Sequence, residues 1–259
     1  MIIYRSVIEM AIDSHTHVNK LVLTNPKEEI NKINNDSNLS RVINVGIDYH
    51  TSHEANNIAE DNAKFYSAVG YHPLHLDQIS YSNLVSEAIR EKVVAIGEIG
   101  LDTGNKDYKA QRNALIGQIM IANQLHLPVI IHANNTNKEI IEIIKKVKPL
   151  YGCVFHCFQP DFEALEYLIG EGYYISIGSK ITYHNARLSL EIAKCIPENL
   201  FLVETDAPYM SPEPFRNQQG SSTMLNRVID VIARERQTTS EEIDRITTEN
   251  TLRLFKKMK

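Results

Sequence analysis

Three cysteines in 259 residues cannot all pair, which excludes a disulfide framework and points to a reducing compartment. No stretch approaches the roughly 18 consecutive apolar residues of a membrane span. The opening "MIIYRSVIEM" shows no basic start, long apolar run or small-residue cleavage site. A cytoplasmic protein without a membrane partner is expected. Positive charge is also short: 27 Lys and Arg against 32 Asp and Glu leave a net charge of -5. That excludes a broad basic surface for a long duplex. It leaves room for a short footprint such as a strand end, because bound divalent metals put positive charge where it acts. There is no low-complexity linker, no Pro/Gly-rich hinge and no tandem repeat, so residues 1–259 are expected to form one domain, most simply a monomer.

What is present is a repeating alternation. Eight β-rich runs stand out: "MAIDSHTH", "RVINVGI", "KFYSAVGYH", "KVVAIGEIGL", "LPVIIHA", "GCVFHCF", "GYYISIGS" and "NLFLVETDA". Most are continuous apolar runs, as parallel strands buried on both faces require. Amphipathic stretches lie between them. "KDYKAQRNALIGQIMIANQLH" spaces Ala114, Leu115, Gln118, Ile119 and Ala122 helically. "NKEIIEIIKKVK" and "DFEALEYLIGEG" follow the next two strands, and Thr239 with Glu242 offers a capping box before a C-terminal helix. Eight β-then-α units predict an α/β fold, a single (β/α)8 TIM barrel. An open doubly wound sheet is the competing architecture, but it would normally open on a glycine-rich phosphate turn, and "DSHTHVNK" is not one.

A barrel gathers its chemistry at the C-terminal ends of its strands. In "AIDSHTHVNK", Asp13, His15 and His17 alternate and so share one face, with the histidines outermost. Later strands end in His72, in Glu98 and Asp102, in His132, in His156, and in Glu204 with Asp206. Any one of these has an ordinary explanation, such as a hydrogen-bonded surface imidazole or an Asp206 N-cap before Pro208. Together, four histidines and two carboxylates on one rim point to metal. The donors are nitrogen and oxygen, suited to Zn or Mn and less comfortably to Mg alone. Six donors exceed what one catalytic ion with an open position uses. Two ions sharing a carboxylate would take all six. His50, His53, His126 and His184 fall in loops or helices and are left out.

The motifs "IDSHTHV", "GEIGLD", "LPVIIHA", "FHCF" and "ETDAPY", in this order, resemble the TatD-type metal-dependent deoxyribonucleases of the amidohydrolase superfamily, from Ile12 to the closing "NTLRLF". The resemblance implies that His15, His17 and Asp206 bind one ion, that Glu98 bridges two, and that His132 and His156 complete the second site. It implies attack on phosphorus by a metal-activated hydroxide, oriented or deprotonated by Asp206, with Glu98 and Glu204 as further catalytic carboxylates. DNA ends, single-stranded or frayed, would be the substrate, cleaved 3'-5'.

The departures from the family pattern lie on the substrate side. "HANN" puts Asn134 and Asn135 where an arginine and an aspartate are usual, and "PEPFRNQQGSS" leaves Arg216 as the nearby cation. The loop "TGNKDYK" lacks the customary aromatic after Asp102. His72, Asn134, Tyr209 and Arg216 are the candidate substrate contacts, with Lys180, His75 and Phe215 behind them. An asparagine cannot match an arginine's phosphate contact. This keeps open a second reading: hydrolysis of an ester or amide, such as a D-aminoacyl-tRNA ester. A third reading is a non-catalytic metal-binding protein. Cys153 and Cys157 read as buried small apolar groups, and Asn250 as structural.

Overall fold

The computed structural model of the protein describes residues 11–104 and 107–259. Met10 of the first expected strand, and Asn105 and Lys106 of the loop after Asp102, lie outside the described residues. Eight strands run parallel in chain order: β1 (Ala11–Thr16), β2 (Leu39–Val45), β3 (Phe65–Val69), β4 (Val93–Asp102), β5 (Val129–Asn134), β6 (Cys153–Phe155), β7 (Tyr174–Ile177) and β8 (Phe201–Val203). The sheet closes through a bridge between Thr16 and Ala207, supported by His17 N–H to Ala207 O at 2.7 Å and Asp206 N–H to His15 O at 3.0 Å. The result is the expected (β/α)8 barrel. Its closure runs through residues just past the strand ends, where the site forms.

Helices α1 (Pro26–Asn35), α2 (Tyr49–Asp61), α3 (Tyr81–Ala88), α4 (Tyr108–Leu125), α5 (Asn137–Ile144), α6 (Phe162–Gly170) and α7 (Arg187–Cys195) follow strands one to seven in turn. Two helices, α8 (Leu225–Arg236) and α9 (Ser240–Leu254), follow β8. Local chemistry starts them. Asp48 accepts from Thr51 N–H in a reciprocal capping box at α2, and Asp107 and Asp161 cap α4 and α6. Only half of the capping box expected at α9 forms. Thr239 accepts from Glu242 N–H, but the Glu242 carboxylate turns to Arg245 at 2.7 Å, an ion pair that competes with the box. Asn250 donates to the carbonyls of Glu198 and Phe201, fastening α9 to β8.

Helices cover the strands on the outside, so all ten residues of β4 are buried. Phe65, Phe155, Phe201 and Phe255 are fully enclosed, and truncating a phenylalanine in such a site costs about 3–5 kcal/mol. The register of β4 on β5 slips between Ile96 and Ile99 and sets Gly100 beside His132 and Asp102 beside Asn134. Irregularities of this kind re-aim side chains at barrel rims. Here the slip contains Glu98. At Gly100, φ is +158° and a Cβ would collide with the His132 carbonyl, so only glycine allows β4 to lie this close to β5.

Candidate metal centre

Asp13 is fully buried on β1 and accepts from Thr205 N–H (3.0 Å) and Thr205 Oγ1 (2.6 Å). Burial nonetheless pushes its carboxyl up to about 7. The acid that alternates with the two histidines is therefore a strut between β1 and the β8 end, set beneath the site. It holds the segment that carries Asp206. Asp206 itself has φ +55°, Cys157 +43° and Asn135 +54°. Non-glycine residues pay roughly 1–2 kcal/mol each for this left-handed backbone, and these three all stand at the rim where strands five, six and eight end.

The structure brings His15, His17, Glu98, His132, His156 and Asp206 into one cluster. His15 Nε2 and His17 Nε2 lie 3.0 Å apart. Glu98 Oε2 is 3.4 Å from the first and 3.6 Å from the second, and Asp206 Oδ1 is 3.4 Å from His17 Nε2. Glu98 Oε1 faces His132 Nδ1 at 2.6 Å and His156 Nε2 at 2.7 Å. Glu98 thus touches both halves of the cluster with different oxygens. Donor triplets with mutually close ligand atoms occur as His15–His17–Glu98, His15–His156–Asp206 and His72–Glu98–His132.

The rear ring nitrogens decide what the front ones can do. His17 Nδ1 is 2.9 Å from the Val45 carbonyl, so it carries the proton and leaves a lone pair on Nε2. His132 Nε2 lies 2.8 Å from Asp102 Oδ2 and donates to it, which frees Nδ1. His156 Nδ1 faces Glu204 Oε1 at 3.5 Å. Oxygen acceptors behind imidazoles are the usual way of orienting metal-binding histidines. In front, acceptors meet: the His132 Nδ1 lone pair faces Glu98 Oε1 at 2.6 Å, and the His17 Nε2 lone pair lies 3.4 Å from Asp206 Oδ1 and 3.6 Å from Glu98 Oε2. Such contacts are reconciled only by positive charge between them, from protons or from cations. The donor set therefore fits divalent metal.

The electrostatics agree. Burial works to raise the Glu98 carboxyl, yet His156 and His132 hold it well below its ordinary value. Burial acts on Asp206 in the same sense and is outweighed by His17 and His156. The imidazoles of His17, His132 and His156 are lowered by burial but raised overall, by Asp206 in the first case and Glu98 in the other two. His15 is lowered, by burial and by the neighbouring charge of His156.

Other candidates land differently. His72 is buried, and burial drives its imidazole down to about 3, so it is neutral. Its Nδ1 accepts from Leu74 N–H, leaving the proton on Nε2, 3.5 Å from Glu98 Oε1. It is a donor aimed into the cluster, nearer to the acid than its loop position suggested. Glu204 is buried behind His156 and accepts from Cys157 N–H, and it does not line the cavity. Cys157 is not the fully buried strand residue expected of it: β6 ends at Phe155, and Cys157 sits in the following turn at the cavity wall, with Sγ 3.7 Å from Met210 Sδ.

The cluster opens into a cavity of about 440 Å³ lined by His72, His75, Asn134, Lys180, Tyr209 and Met210 among others. Tyr209 is about half exposed and meets the His17 ring edge to face, with centroids 5.2 Å apart. Asn134 is committed: its Nδ2 donates to Asp102 and its Oδ1 accepts from Gln159 Nε2 at 3.1 Å. Arg216 does not reach this cavity. Its guanidinium lies over the Tyr183 ring, 4.3 Å from the centroid, and Phe215 packs under Arg227. Among the described residues, the lysine or arginine on the cavity wall is Lys180, an exposed residue on the short 3-10 turn Ser179–Thr182 after β7. Asp102, paired with His132 and Asn134, was visible in sequence as a strand-end acid. Its role as a clamp was not.

Comparison with known proteins gives the same picture. The family described as TatD related DNase matches residues 12–256. A metal-dependent hydrolase of Bacillus subtilis, YabD, described as uncharacterized, is 33% identical over 255 residues, covering 95% of this chain and 99% of its own. The crystal structure of YjjV, a TatD homologue from Escherichia coli, has a TM-score of 0.88 at 27% identity, covering 96% of this chain and 99% of that one. A phosphotriesterase homology protein from Escherichia coli shares the fold, with a TM-score of 0.69 at 14% identity and coverage of 95% and 99%.

Proposed function

The chain belongs to the TatD family of metal-dependent hydrolases, and on that premise we propose that it is a two-metal phosphodiesterase acting on DNA ends. The observation that supports this reading most strongly is that the lone pairs of His17 Nε2 and His132 Nδ1 are turned toward the buried carboxylates of Asp206 and Glu98. In this reading His15, His17 and Asp206 hold one divalent ion, His132 and His156 hold the other, and Glu98 is shared. Mg, Mn and Zn are the candidate ions. When bound, such ions neutralise charge on a phosphoryl group and make water a better nucleophile.

The chain's own residues do the rest. The Asp206 carboxylate, kept ionised, orients the attacking water and accepts its proton. Neutral His72 donates from Nε2 toward Glu98 or a phosphoryl oxygen. Tyr209 offers a ring at the cavity mouth on which a terminal base can stack. Glu204 steadies His156 from behind and acts as a positioning residue. A second reading is favoured by one observation: with Asn134 locked onto Asp102, the β5 side of the cavity has no lysine or arginine among the described residues. A metal-dependent ester or amide hydrolase acting on an aminoacyl ester would need none there.

The test is cleavage of an end-labelled single-stranded DNA oligonucleotide by metal-stripped protein resupplied with Mg, Mn or Zn, with metal content measured. The expected result is a metal-restored ladder of single-nucleotide steps, absent in Asp206→Asn, whose circular dichroism matches the wild type. No cleavage by metal-loaded protein would exclude DNA ends and transfer the reading to the ester or amide substrate. Full activity in metal-loaded Asp206→Asn would remove Asp206 from its role.

A further inference from the structure

Beside the metal centre lies a second cavity of about 400 Å³, whose wall includes Pro160, Lys180, Tyr183 and Arg216. Lys180 lines both spaces, so they adjoin at this residue. The second cavity belongs to two loops, one after β7 and one after β8, and these loops are tied together. Thr182 Oγ1 donates to Ser179 O at 2.8 Å and accepts from Glu213 N–H at 2.9 Å, while Ser179 Oγ donates to Thr205 O at 2.9 Å. The Arg216 guanidinium lies over the Tyr183 ring, 4.3 Å from its centroid, a cation–π contact that holds the side chain at this wall.

Position and charge together mark the pair. Some cations on this chain are held by carboxylates, as with Arg90 on Glu60 and Glu87, Arg245 on Glu242 and Glu249, and Arg187 on Glu191 at the same cavity. Among the described residues, no carboxylate lies within ion-pair distance of either Lys180 or Arg216. On a chain of net charge -5, two uncommitted cations on one continuous wall, leading away from a cluster suited to a scissile phosphate, form a track for further negative charge. A solvated lysine alone would carry no such meaning. The arginine beside it, held over Tyr183 on a loop tied to its neighbour, gives the site a built geometry.

We infer that Lys180 and Arg216 form a second anion subsite that grips backbone phosphates of the substrate strand next to the one being cleaved. This rests on the phosphodiesterase reading and sharpens it: the substrate is a single strand several nucleotides long, recognised by its phosphates along the β7–β8 side of the rim. Mononucleotides and short esters would leave this wall unused. It also supplies by another route the positive charge that the β5 side lacks.

The experiment is fluorescence anisotropy with a labelled phosphorothioate dodecathymidylate, which keeps the charges and resists cleavage, on metal-loaded wild type, Lys180→Ala, Arg216→Ala and the double variant. A labelled dinucleotide is the short comparison, and Lys145→Ala on the far side is the control. The double variant is expected to bind the long strand roughly tenfold more weakly, and the slope of log K against log salt should fall by about 1.4, two phosphates at ~0.7 each. The advantage of the long strand over the dinucleotide should shrink with it. Lys180→Arg with Arg216→Lys should restore the slope, which a merely structural role would not predict. Unchanged affinity and slope in a folded double variant overturn the subsite, and the cleavage assay then judges the phosphodiesterase reading by itself. Residue-dependent binding without cleavage would keep the subsite and end the nuclease reading. Absence of binding by wild type would end both.

Discussion

Replacing Asp102 by asparagine tests how the second half of the metal centre is built. Asp102 Oδ2 accepts the His132 Nε2 proton at 2.8 Å, and the other carboxylate oxygen accepts from Gly104 N–H at 2.6 Å. The His132 hydrogen bond, foremost, holds the carboxyl at about 2, against an ordinary value of 3.8. Each pH unit of such lowering corresponds to about 1.4 kcal/mol, which sets an upper limit of about 2.5 kcal/mol. Asp102 borders a solvent-filled cavity, so screening reduces this to roughly 1 kcal/mol. An asparagine can offer one oxygen to His132, but its amide hydrogens then face the Asn134 amide or Gly104 N–H, donor against donor. His132 is left free to turn or to change tautomer, and Nδ1 is no longer held toward Glu98. Loss of such a rear partner typically weakens metal binding 10–100-fold.

Calorimetric metal titration of stripped protein is the assay. Wild type is expected to show two classes of site, and Asp102→Asn should weaken the class containing His132 and His156 while sparing that of His15, His17 and Asp206. The stability difference between stripped wild type and variant should be full at pH 7, because the carboxyl is lowered in the folded state. It should fade as pH drops from 3.8 toward 2. Metal affinities within threefold of wild type for both classes, with unchanged stability, would refute the clamp.

Metal should stabilise the fold as a whole: at a hundred times its dissociation constant, one ion adds about 2.7 kcal/mol, or roughly 5–10 °C in Tm for a chain of this size, read by differential scanning calorimetry. In stripped protein, His17, His132 and His156 have raised values, so their contribution is present below about pH 6.5 and lost as pH rises through the folded values. Stability measured by urea unfolding should therefore decline as pH rises above 6.5 without metal, and metal should reverse the trend by taking the place of protons. Gly100→Ala should destabilise by about 3 kcal/mol or more, since its Cβ meets the His132 carbonyl. A denaturation midpoint equal to wild type would show that β4 and β5 separate more easily than their register suggests.

Much of the molecule was legible in the chain itself. Continuous apolar runs announce strands covered on both sides, and eight of them alternating with amphipathic stretches leave a barrel as the economical closure. That architecture then assigns strand-end residues to one rim, which is why His15, His17, Glu98, His132, His156 and Asp206 could be named together before any coordinates. The first helix after β8, α8, was not read, because its segment follows a long loop without a clear start signal. The half-formed capping box at Thr239 shows the limit of local rules, since Arg245 competes for the same carboxylate.

The sequence by itself determined the strand order, the rim and the donor types, because these follow from periodicity and side-chain chemistry along the chain. Tertiary structure alone decided which nitrogen of each ring faces inward, that His72 is a neutral donor, that Glu204 stands behind His156, and that Asn134 is committed to Asp102 while Arg216 rests on Tyr183. The reason is physical: each of these outcomes is set by a partner brought close through barrel closure, as Thr205 is to Asp13 across 192 residues of chain. Local sequence carries no record of such distances.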